Sequence, residues 1–407
     1  MEEFDLNMDI KPTDWIPENS MIKVIGVGGG GCNAVTYMYN KQIKGCSFIV
    51  CNTDAQALRK SNVPIKVQLG EGLGAGTNPV KGRNCALASQ DEIASKVLDC
   101  GTKMLFITAG MGGGTGTGAA PVIAKMAKDK GILTVGVVTL PFKSEKNGSY
   151  SKALDGVRDM ADNVDSLLII DNEKLAEIYS DQLLKDAFPK SDEVLATAVS
   201  GITEIISKPG YINVDFEDVK NMMKGSGMAL MGCGTGKGGN RLEDAVAGAL
   251  DSPLLYKLDL ATAKHALVNI TTGSGEEGLK MCDLTTINDL IASKIGNANK
   301  FKQGIVYDEN PERHDEVSIT VIATGFKMNI IDEIVGQPGG NITVIDYDYK
   351  YRNDEQEPLE SIDPTIINVS IGRQARTFHY DHKPALCITP RDEYSPLENI
   401  ASINRKR

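Results

Sequence analysis

Between Ile107 and Lys125 the chain reads ITAGMGGGTGTGAAPVIAK, and six of the nine residues from Gly110 to Gly118 are glycine. Glycine loses more backbone entropy on folding than any other residue, so this loop must return something for that cost. Its flanks say what. MLFIT before it is a short apolar run of strand type, and AAPVIAKMAKDK after it has helical composition and spacing. A glycine loop between strand and helix leaves backbone N–H groups unobstructed beside a helix N-terminus, where the dipole favours negative charge. Such a loop cradles phosphate. The plainer reading, a flexible connector, fits poorly because strand-to-helix connectors are usually short and far less rich in glycine.

A second glycine cluster follows the apolar run IKVI. Gly26, Gly28 and Gly31 fit the dinucleotide fingerprint G-x-G-x-x-G, with Asp54 downstream where a ribose-binding acid is expected. Taken alone this describes a nicotinamide- or flavin-dependent oxidoreductase, but that fold needs only one such loop. The Walker A pattern is absent: the nearest approach, CGTGKGG around Lys237, ends in glycine where Ser or Thr is required. Phosphates are therefore expected to be held by backbone amides of two loops and by threonine hydroxyls. A bound metal ion would then neutralise part of a triphosphate's charge.

A third group is acidic. In Asn213-Val214-Asp215-Phe216-Glu217-Asp218, an extended backbone would point Asn213 and Asp215 the same way. Read in isolation, the segment is equally a helix N-terminus with acidic residues in its first turn. The eight cysteines (Cys32, Cys46, Cys51, Cys85, Cys100, Cys233, Cys282, Cys387) form no C-x-x-C pair, and only Cys387, after the HYDH run, has histidines near it. They read as reduced thiols rather than as a zinc site. The run HYDH from His379 to His382 reads as solvated tail, so no protein metal site is assigned.

Positioning these residues requires a sizeable α/β scaffold, and 407 residues with 41% hydrophobic content can build one. Aromatics make up only 5%, so the cores are aliphatic. A net charge of −11 argues against a general binder of nucleic acid or anionic membranes. MEEFDLNMDI has no apolar signal region and no run is long enough to span a bilayer, which suits a cytoplasmic chain without membrane insertion. Residues 1–20 read as a flexible extension. From Met21 strands alternate with helices: IKVIGVG, a helix from about Ala34, FIVCNTD, MLFITAG, ILTVGVVTL and SLLIID. A long helix is expected from Ser191 to Lys208, with Leu195, Ala198, Val199, Ile202, Ile205 and Ile206 on one face. HALVNITTG and EVSITVIATGF read as strands around a helix near Leu284 to Ile295, and residues from about 328 read as linker and tail with little to bury. The expected fold is α/β: a Rossmann-like nucleotide domain with a parallel sheet (21–190), a long central helix (191–211), a smaller α+β domain opening on the acidic loop (212–327), then residues 328–407.

GGGTGTG with its flanking TAGM and AAP resembles the signature loop of the tubulin/FtsZ GTPase family. VIGVGGGGCNAV, CNTDAQAL, GLGAGTNP, GILTVGVVTLPF, NVDFEDV, GMALMG and TVIATGF occur in the family's order and extend the resemblance from about Ile22 to Phe326. It implies a GTPase that binds GTP and GDP with Mg2+, assembles head to tail into filaments and organises division at midcell. Gly29, Gly30, Gly31, Cys32 and Asn33 would meet the nucleotide from the first loop, and Gly114, Thr115 and Gly116 would hold the phosphates. The loop Gly72 to Pro79 would lie near the γ-phosphate, Glu145 at the ribose, Ser149 near the nucleotide, Asn172 at another nucleotide contact, and Phe188 and Asp192 at the base. Asp192 and Phe188 fall at the expected start of the long helix, where a carboxylate could accept from guanine N1–H and its amine together. Without the resemblance, Asp192 is a first-turn residue complementing the helix dipole. Asn213, Asp215 and Asp218 would act on the GTP of the next subunit, so the site exists only in the polymer.

Three departures from the family pattern matter. Cys32 replaces a small or polar residue, and a thiol there is expected either to be exposed beside the cradle or to be buried and inert. Tyr37 and Ser149 stand where many members carry arginine. The end SPLENIASINRKR lacks the usual partner motif through which division proteins and membrane tethers bind.

Overall fold

The computed structural model describes residues 20–326, apart from 100, 143–144, 146–147, 174–180, 182, 208–210, 213, 251–261, 274, 276–277, 296–299 and 309–313, together with 366–371 and 374–379. The first half alternates: β1 (Ile22–Val27), α1 (Gly28–Asn40), β2 (Ser47–Asn52), α2 (Ala55–Lys60), β3 (Ile65–Gln68), α3 (Pro79–Ala88), α4 (Gln90–Ile93), β4 (Met104–Gly110), α5 (Thr115–Asp129), β5 (Leu133–Leu140), α6 (Ser149–Asn163) and β6 (Ser166–Asp171). All six residues of β1, of β2 and of β6 and all eight of β5 are buried, as strands covered by helices on both faces must be. Neither glycine loop simply precedes its helix. The first is itself the opening turn of α1, which begins at Gly28, six residues before the expected Ala34, and the second runs through Gly112–Gly114 into the first turn of α5, which begins at Thr115. The helical pattern of apolar residues could not reveal turns made of glycine.

The long helix α7 runs from Leu184 to Ser207, so it starts seven residues before the expected Ser191 and contains Pro189. Its predicted face is the packed one: Leu195, Ala198, Val199, Ile202 and Ile205 are buried and Ile206 is packed beside them. At Gly201 an added Cβ would lie 3.0 Å from the Thr320 methyl, so the helix also rides close over the second half of the sheet.

That second half comprises α8 (Phe216–Met223), β7 (Gly227–Lys237), α9 (Arg241–Leu250), β8 (His265–Gly273), α10 (Met281–Ile295), β9 (Lys300–Asp308) and β10 (Glu316–Thr324). The strands join one ten-stranded sheet of order β3-β2-β1-β4-β5-β6-β7-β10-β8-β9. Parallel pairing of Ser166 with Gly227 and Leu167 with Met228 links the halves, while β10 runs antiparallel to β7 and β8. β7 and β9 were not anticipated as strands. In β7 the cause is its glycines. Gly232, Gly234 and Gly236 alternate along one face, and an added Cβ at each would fall on the carbonyl oxygens of Ala249, Ala245 and Arg241 respectively. The stripe lets α9 lie directly on the strand backbone. CGTGKGG is thus a strand–helix packing seam, with Lys237 paired to Glu316 across the register at 3.0 Å.

Residues 332–407 form a separate unit, described only for the antiparallel pair β11 (Ile366–Ile371) and β12 (Gln374–His379). This hairpin lies where a featureless tail was expected. IINVSI is rich in β-branched residues, a signal outweighed in the sequence by the polar stretches around it. The N-terminal extension and most of HYDH lie outside the described residues.

The packing separates two kinds of glycine, and stability measurements can tell them apart. At Gly118 an added Cβ would overlap the Pro79 carbonyl oxygen, whereas at Gly29 nothing lies within 4 Å and the backbone is ordinary helix. Gly118→Ala should lower the melting temperature by roughly 4–8 °C, from an overpacking cost of about 2 kcal/mol. Gly29→Ala should melt at or slightly above the parent temperature, since alanine is the better helix former.

Candidate nucleotide site

Strand order reverses between β1 and β4, which lie side by side: the chain proceeds outward to β2 and β3 on one side and to β5 and β6 on the other. Open parallel sheets leave a crevice at such a point, outside the carboxyl ends of the strands. Both glycine loops open there, and they pack back to back. An added Cβ at Gly28 would sit 2.8 Å from the Gly116 nitrogen. Around them stand the other loops that leave carboxyl ends: Asn52 and Thr53 after β2, residues 70–79 after β3, Glu145 and Ser149 after β5, and Asn172 after β6.

Within the first loop, Gly29, Gly30 and Asn33 are exposed on one face of the opening turns of α1, and Gly31 and Cys32 are buried. In the second, Gly114, Thr115 and Gly116 are buried and Gly113 is half-exposed. Gly114 is needed by the fold, because an added Cβ would lie 2.8 Å from the Ala75 methyl and 2.9 Å from the Asn78 nitrogen. Gly29 and Gly113 are different: no protein atom occupies the space a side chain would fill, and neither has a positive φ. At both positions the space in front of the loop backbone is open. Gly113 was not among the predicted site residues, since a run of three glycines gives no means of choosing the one left open.

The threonine hydroxyls have work inside the protein. Those of Thr53 and Thr115 lie 2.6 Å apart, and that of Thr117 accepts from the Gly112 N–H at 2.9 Å. They brace the loop, and because the Thr117 oxygen accepts there, its own O–H can still donate. The third loop is fixed by the Asn78 side chain, which accepts from Val80 and Lys81 N–H, and by Lys152, whose ammonium donates to the Thr77 carbonyl at 3.2 Å. Lys152 is a cation at the rim that no local sequence pattern singles out.

The remaining predicted residues are placed as follows. Glu145 is exposed, its carboxylate accepting from the Phe142 N–H at 3.3 Å, and Ser149 is the first residue of α6. Asn172 accepts from the Ser191 hydroxyl at 3.1 Å, which ties the end of β6 to α7. Phe188 and Asp192 belong to the second and third turns of α7, not its start, so Asp192 is not a first-turn partner of the helix dipole. Burial instead pushes the Asp192 carboxyl up from its usual 3.8 to about 6.

Asp54 does not wait for a ribose. It caps α2, its carboxylate accepting from Gln56 N–H at 2.8 Å and Ala57 N–H at 3.3 Å. The oxidoreductase reading loses its acid to a helix cap.

The acidic loop lies elsewhere. Asp215 caps α8 through a 2.7 Å bond from the Asp218 N–H, and Asp218 pairs with Lys302 at 2.9 Å. Asn213 lies outside the described residues. Just beyond α8, Gly225 donates to the Asp165 carboxylate at 3.2 Å, beside the amino end of β6. From Ser191, level with the carboxyl end of β6, to Ser207, α7 covers on the order of 24 Å. The acidic loop and the glycine loops therefore occupy opposite edges of the sheet.

Cys32 resolves to the buried alternative. Its thiol faces the Gly26 and Cys51 carbonyls at 3.5 and 3.4 Å, and burial pushes its pKa up to about 12. The α1 helix begins early enough to rotate this side chain into the core, so the expectation of an exposed thiol fails. Maleimide should leave Cys32 unmodified in the folded protein, with or without nucleotide, while the exposed Cys282 reacts. Peptide mapping that found rapid Cys32 labelling, or protection of it by nucleotide, would contradict this placement.

Residues 21–180 match the family model for the tubulin/FtsZ family, GTPase domain, and residues 227–327 match that for the FtsZ family, C-terminal domain. The cell division protein FtsZ of Pseudomonas putida is 48% identical over 401 residues, covering 97% of this chain and 98% of that protein. Its counterpart in Porphyromonas gingivalis is 44% identical over 395 residues, covering 91% of this chain and 85% of that protein. Among solved structures, an empty FtsZ dimer from M. jannaschii aligns with a TM-score of 0.68 and 39% identity over 75% of this chain and 88% of that one. CetZ1 from Haloferax volcanii, a GDP-bound monomer, shares the fold at 20% identity, with a TM-score of 0.67 over 77% of this chain and 97% of its own. No dinucleotide oxidoreductase is among these relatives, and with Asp54 already engaged that reading falls. Two glycine loops at the strand reversal, long identity along the chain and a shared fold lead to one assignment: the chain belongs to the tubulin/FtsZ family of GTPases.

Proposed function

We propose that this chain is a cell-division GTPase that binds GTP at the crevice between β1 and β4 and hydrolyses it only when a second copy docks. The observation that carries the reading is the open space in front of Gly29 and Gly113 at the strand reversal. Backbone N–H groups of Gly29, Gly30, Gly31 and Asn33, with Cys32 contributing main chain alone, face phosphates from α1. Those of Gly113, Gly114, Thr115 and Gly116 do so from α5. Glu145 and Ser149 serve the ribose edge, and Asn172, Phe188 and Asp192 the base. Among the described residues no three His, Cys, Asp or Glu side chains gather into a metal cage, which suits Mg2+ held by nucleotide phosphates and water. When bound, that ion neutralises phosphate charge that no P-loop lysine meets.

Asn213, Asp215 and Asp218 supply the hydrolytic groups, orienting the attacking water at the nucleotide of the next subunit. Their distance from their own crevice supports action in trans. A contact joining the glycine edge of one copy to the acidic edge of the next is heterologous and propagates as an open filament. The related FtsZ from M. jannaschii forms a dimer, which points the same way. In this reading residues 21–190 carry the nucleotide, 191–211 with the turns from Leu184 form the central helix, and 212–327 present the acidic loop. Residues 328–407 serve contacts with division proteins and membrane tethers through residues other than the usual terminal motif, which SPLENIASINRKR lacks. No described helix is long and apolar enough to cross a membrane, and cytoplasmic residence at the midcell ring follows from the family's role.

Asp192 offers a test by pH. A carboxyl whose folded pKa, about 6, exceeds its unfolded value gives stability that is full below about pH 4 and lost as pH rises through 6. Asp192→Asn should therefore melt higher than the parent at pH 7 without nucleotide, the difference vanishing near pH 4. GTP affinity of the parent should fall as pH drops through 6, because a protonated carboxyl cannot accept both guanine N–H groups. The variant should lose this pH dependence and roughly 10–150-fold of its preference for GTP over ATP.

Mixing tests the shared site. Asp215→Ala should bind GTP nearly normally and turn it over ~10²–10⁴-fold more slowly. Added to a fixed concentration of parent protein, it should lower total phosphate release while light scattering persists. An undiminished parental rate at unchanged assembly would show that each subunit hydrolyses its own nucleotide.

A further inference from the structure

The acidic loop is tied down along the edge strand β9, by three contacts. Backbone pairing joins the loop's entry to the strand: the Tyr211 N–H donates to the Ile305 carbonyl at 2.8 Å, and the Ile305 N–H donates to the Ile212 carbonyl at 3.0 Å. Beside that bridge, Gly304 has no side chain, and an added Cβ would lie 3.1 Å from a Val214 methyl and 3.5 Å from the Ile212 carbonyl oxygen. The loop crosses the strand in that gap. Two residues back, on the same face of the strand, Lys302 reaches over and pairs with Asp218 at 2.9 Å. Asp218 in turn donates its backbone N–H to the Asp215 carboxylate at 2.7 Å. The Asp218 side chain keeps 26% of its surface and the Lys302 side chain 53%, so the pair stands at the face offered to a neighbour. Hydrogen bonding to Asp218, with the added attraction of Asp218 and then Asp215, raises the Lys302 pKa, so its charge persists across the working range.

We infer that Lys302 is a positioning residue of the shared GTPase site: from β9 it holds the Asp218 carboxylate, and through Asp218 the Asp215 cap, in the arrangement presented to the next subunit's nucleotide. This rests on the reading that the loop acts in trans. An exposed ion pair adds little to the stability of a free subunit. Its effect is geometric. Without the lysine the Asp218 side chain regains its rotamers, and each docking event must select the productive one. Two carboxylates close together also repel, and the ammonium offsets that repulsion before the neighbour arrives. The same lysine lowers the charge conflict between the acidic loop and an incoming polyphosphate.

The test separates positioning from folding and from assembly. In the full-length protein, Lys302→Met removes the charge while keeping the length, and its exposure makes loss of the fold an unlooked-for outcome that thermal melting checks. Phosphate release is measured per polymerised subunit, from pelleted protein, at saturating GTP. We expect it to fall roughly three- to tenfold, with the GTP half-saturation and the polymer yield unchanged. Lys302→Arg, which keeps the charge and the donor, should restore most of the rate. In an Asp218→Asn background Lys302→Met should add no further loss. An unchanged rate in Lys302→Met, no rescue by arginine, or full additivity with Asp218→Asn would each overturn the assignment. Asp215→Ala keeps the two readings distinct: a normal rate there removes the in-trans site altogether. A slow Asp215→Ala beside a normal Lys302→Met removes Lys302 alone.

Discussion

Direct backbone contact between the first helix and the sheet sets the geometry on which the nucleotide half of this molecule depends. An added Cβ at Gly31 would fall on the Thr108 carbonyl oxygen of β4, and one at Gly116 on the Gly110 carbonyl oxygen. These positions admit no side chain, so α1 and α5 both press onto β4 until their opening turns touch at Gly28 and Gly116. Close approach brings two helix N-termini to one point, and their dipoles then add over the same small volume. The site can hold polyphosphate without a lysine because it concentrates partial charges from two helices where a P-loop uses one helix and an ammonium. The Thr53–Thr115 and Gly112–Thr117 bonds keep those turns from relaxing apart.

The same sheet separates binding from chemistry. Parallel strands put every loop that can hold the nucleotide at one edge, and α7 carries the chain back across to the other. On the proposed in-trans reading, an active site split in this way cannot turn over in a lone subunit. Assembly then becomes the signal for hydrolysis, and the energetic burden on the acidic loop is to arrive already ordered. Its ties to β9 at Ile305, Gly304 and Lys302 meet that need from an edge strand with no sheet neighbour beyond it. The bridge from Ile212 also covers part of that open edge, which would otherwise be free to pair with another chain.

Asp192 illustrates how function draws on stability. A carboxyl two turns into a helix, half-buried, and raised to about 6 by desolvation is a cost to the empty protein. On the proposed reading it is tolerable because a guanine edge, when present, returns the hydrogen bonds that burial removed.

What could be read from the sequence and what could not divide along a physical line. The mainly apolar runs of β1, β2, β4, β5 and β6 and the packed face of α7 were legible, because burial shows as apolar runs in covered strands and as a helical period in α7. The phosphate loops were legible through their glycine density, and the family through motif order. Glycine, however, states only that a side chain is absent, and not why. It hid the first turns of α1 and α5, hid β7 beneath the stripe that seats α9, and could not single out Gly113. Acids were equally ambiguous, since Asp54 and Asp215 both cap helices and one of them had been a cofactor candidate. Sequence by itself determined which chemistry was present: phosphate-cradling loops, an acidic loop, no P-loop lysine. Only the tertiary structure decided which glycines are empty space, that Cys32 turns inward, that Lys302 meets Asp218, and that cradle and carboxylates lie at opposite edges. Those are relations between residues far apart in the chain. They depend on strand order and helix rotation, which no local pattern encodes.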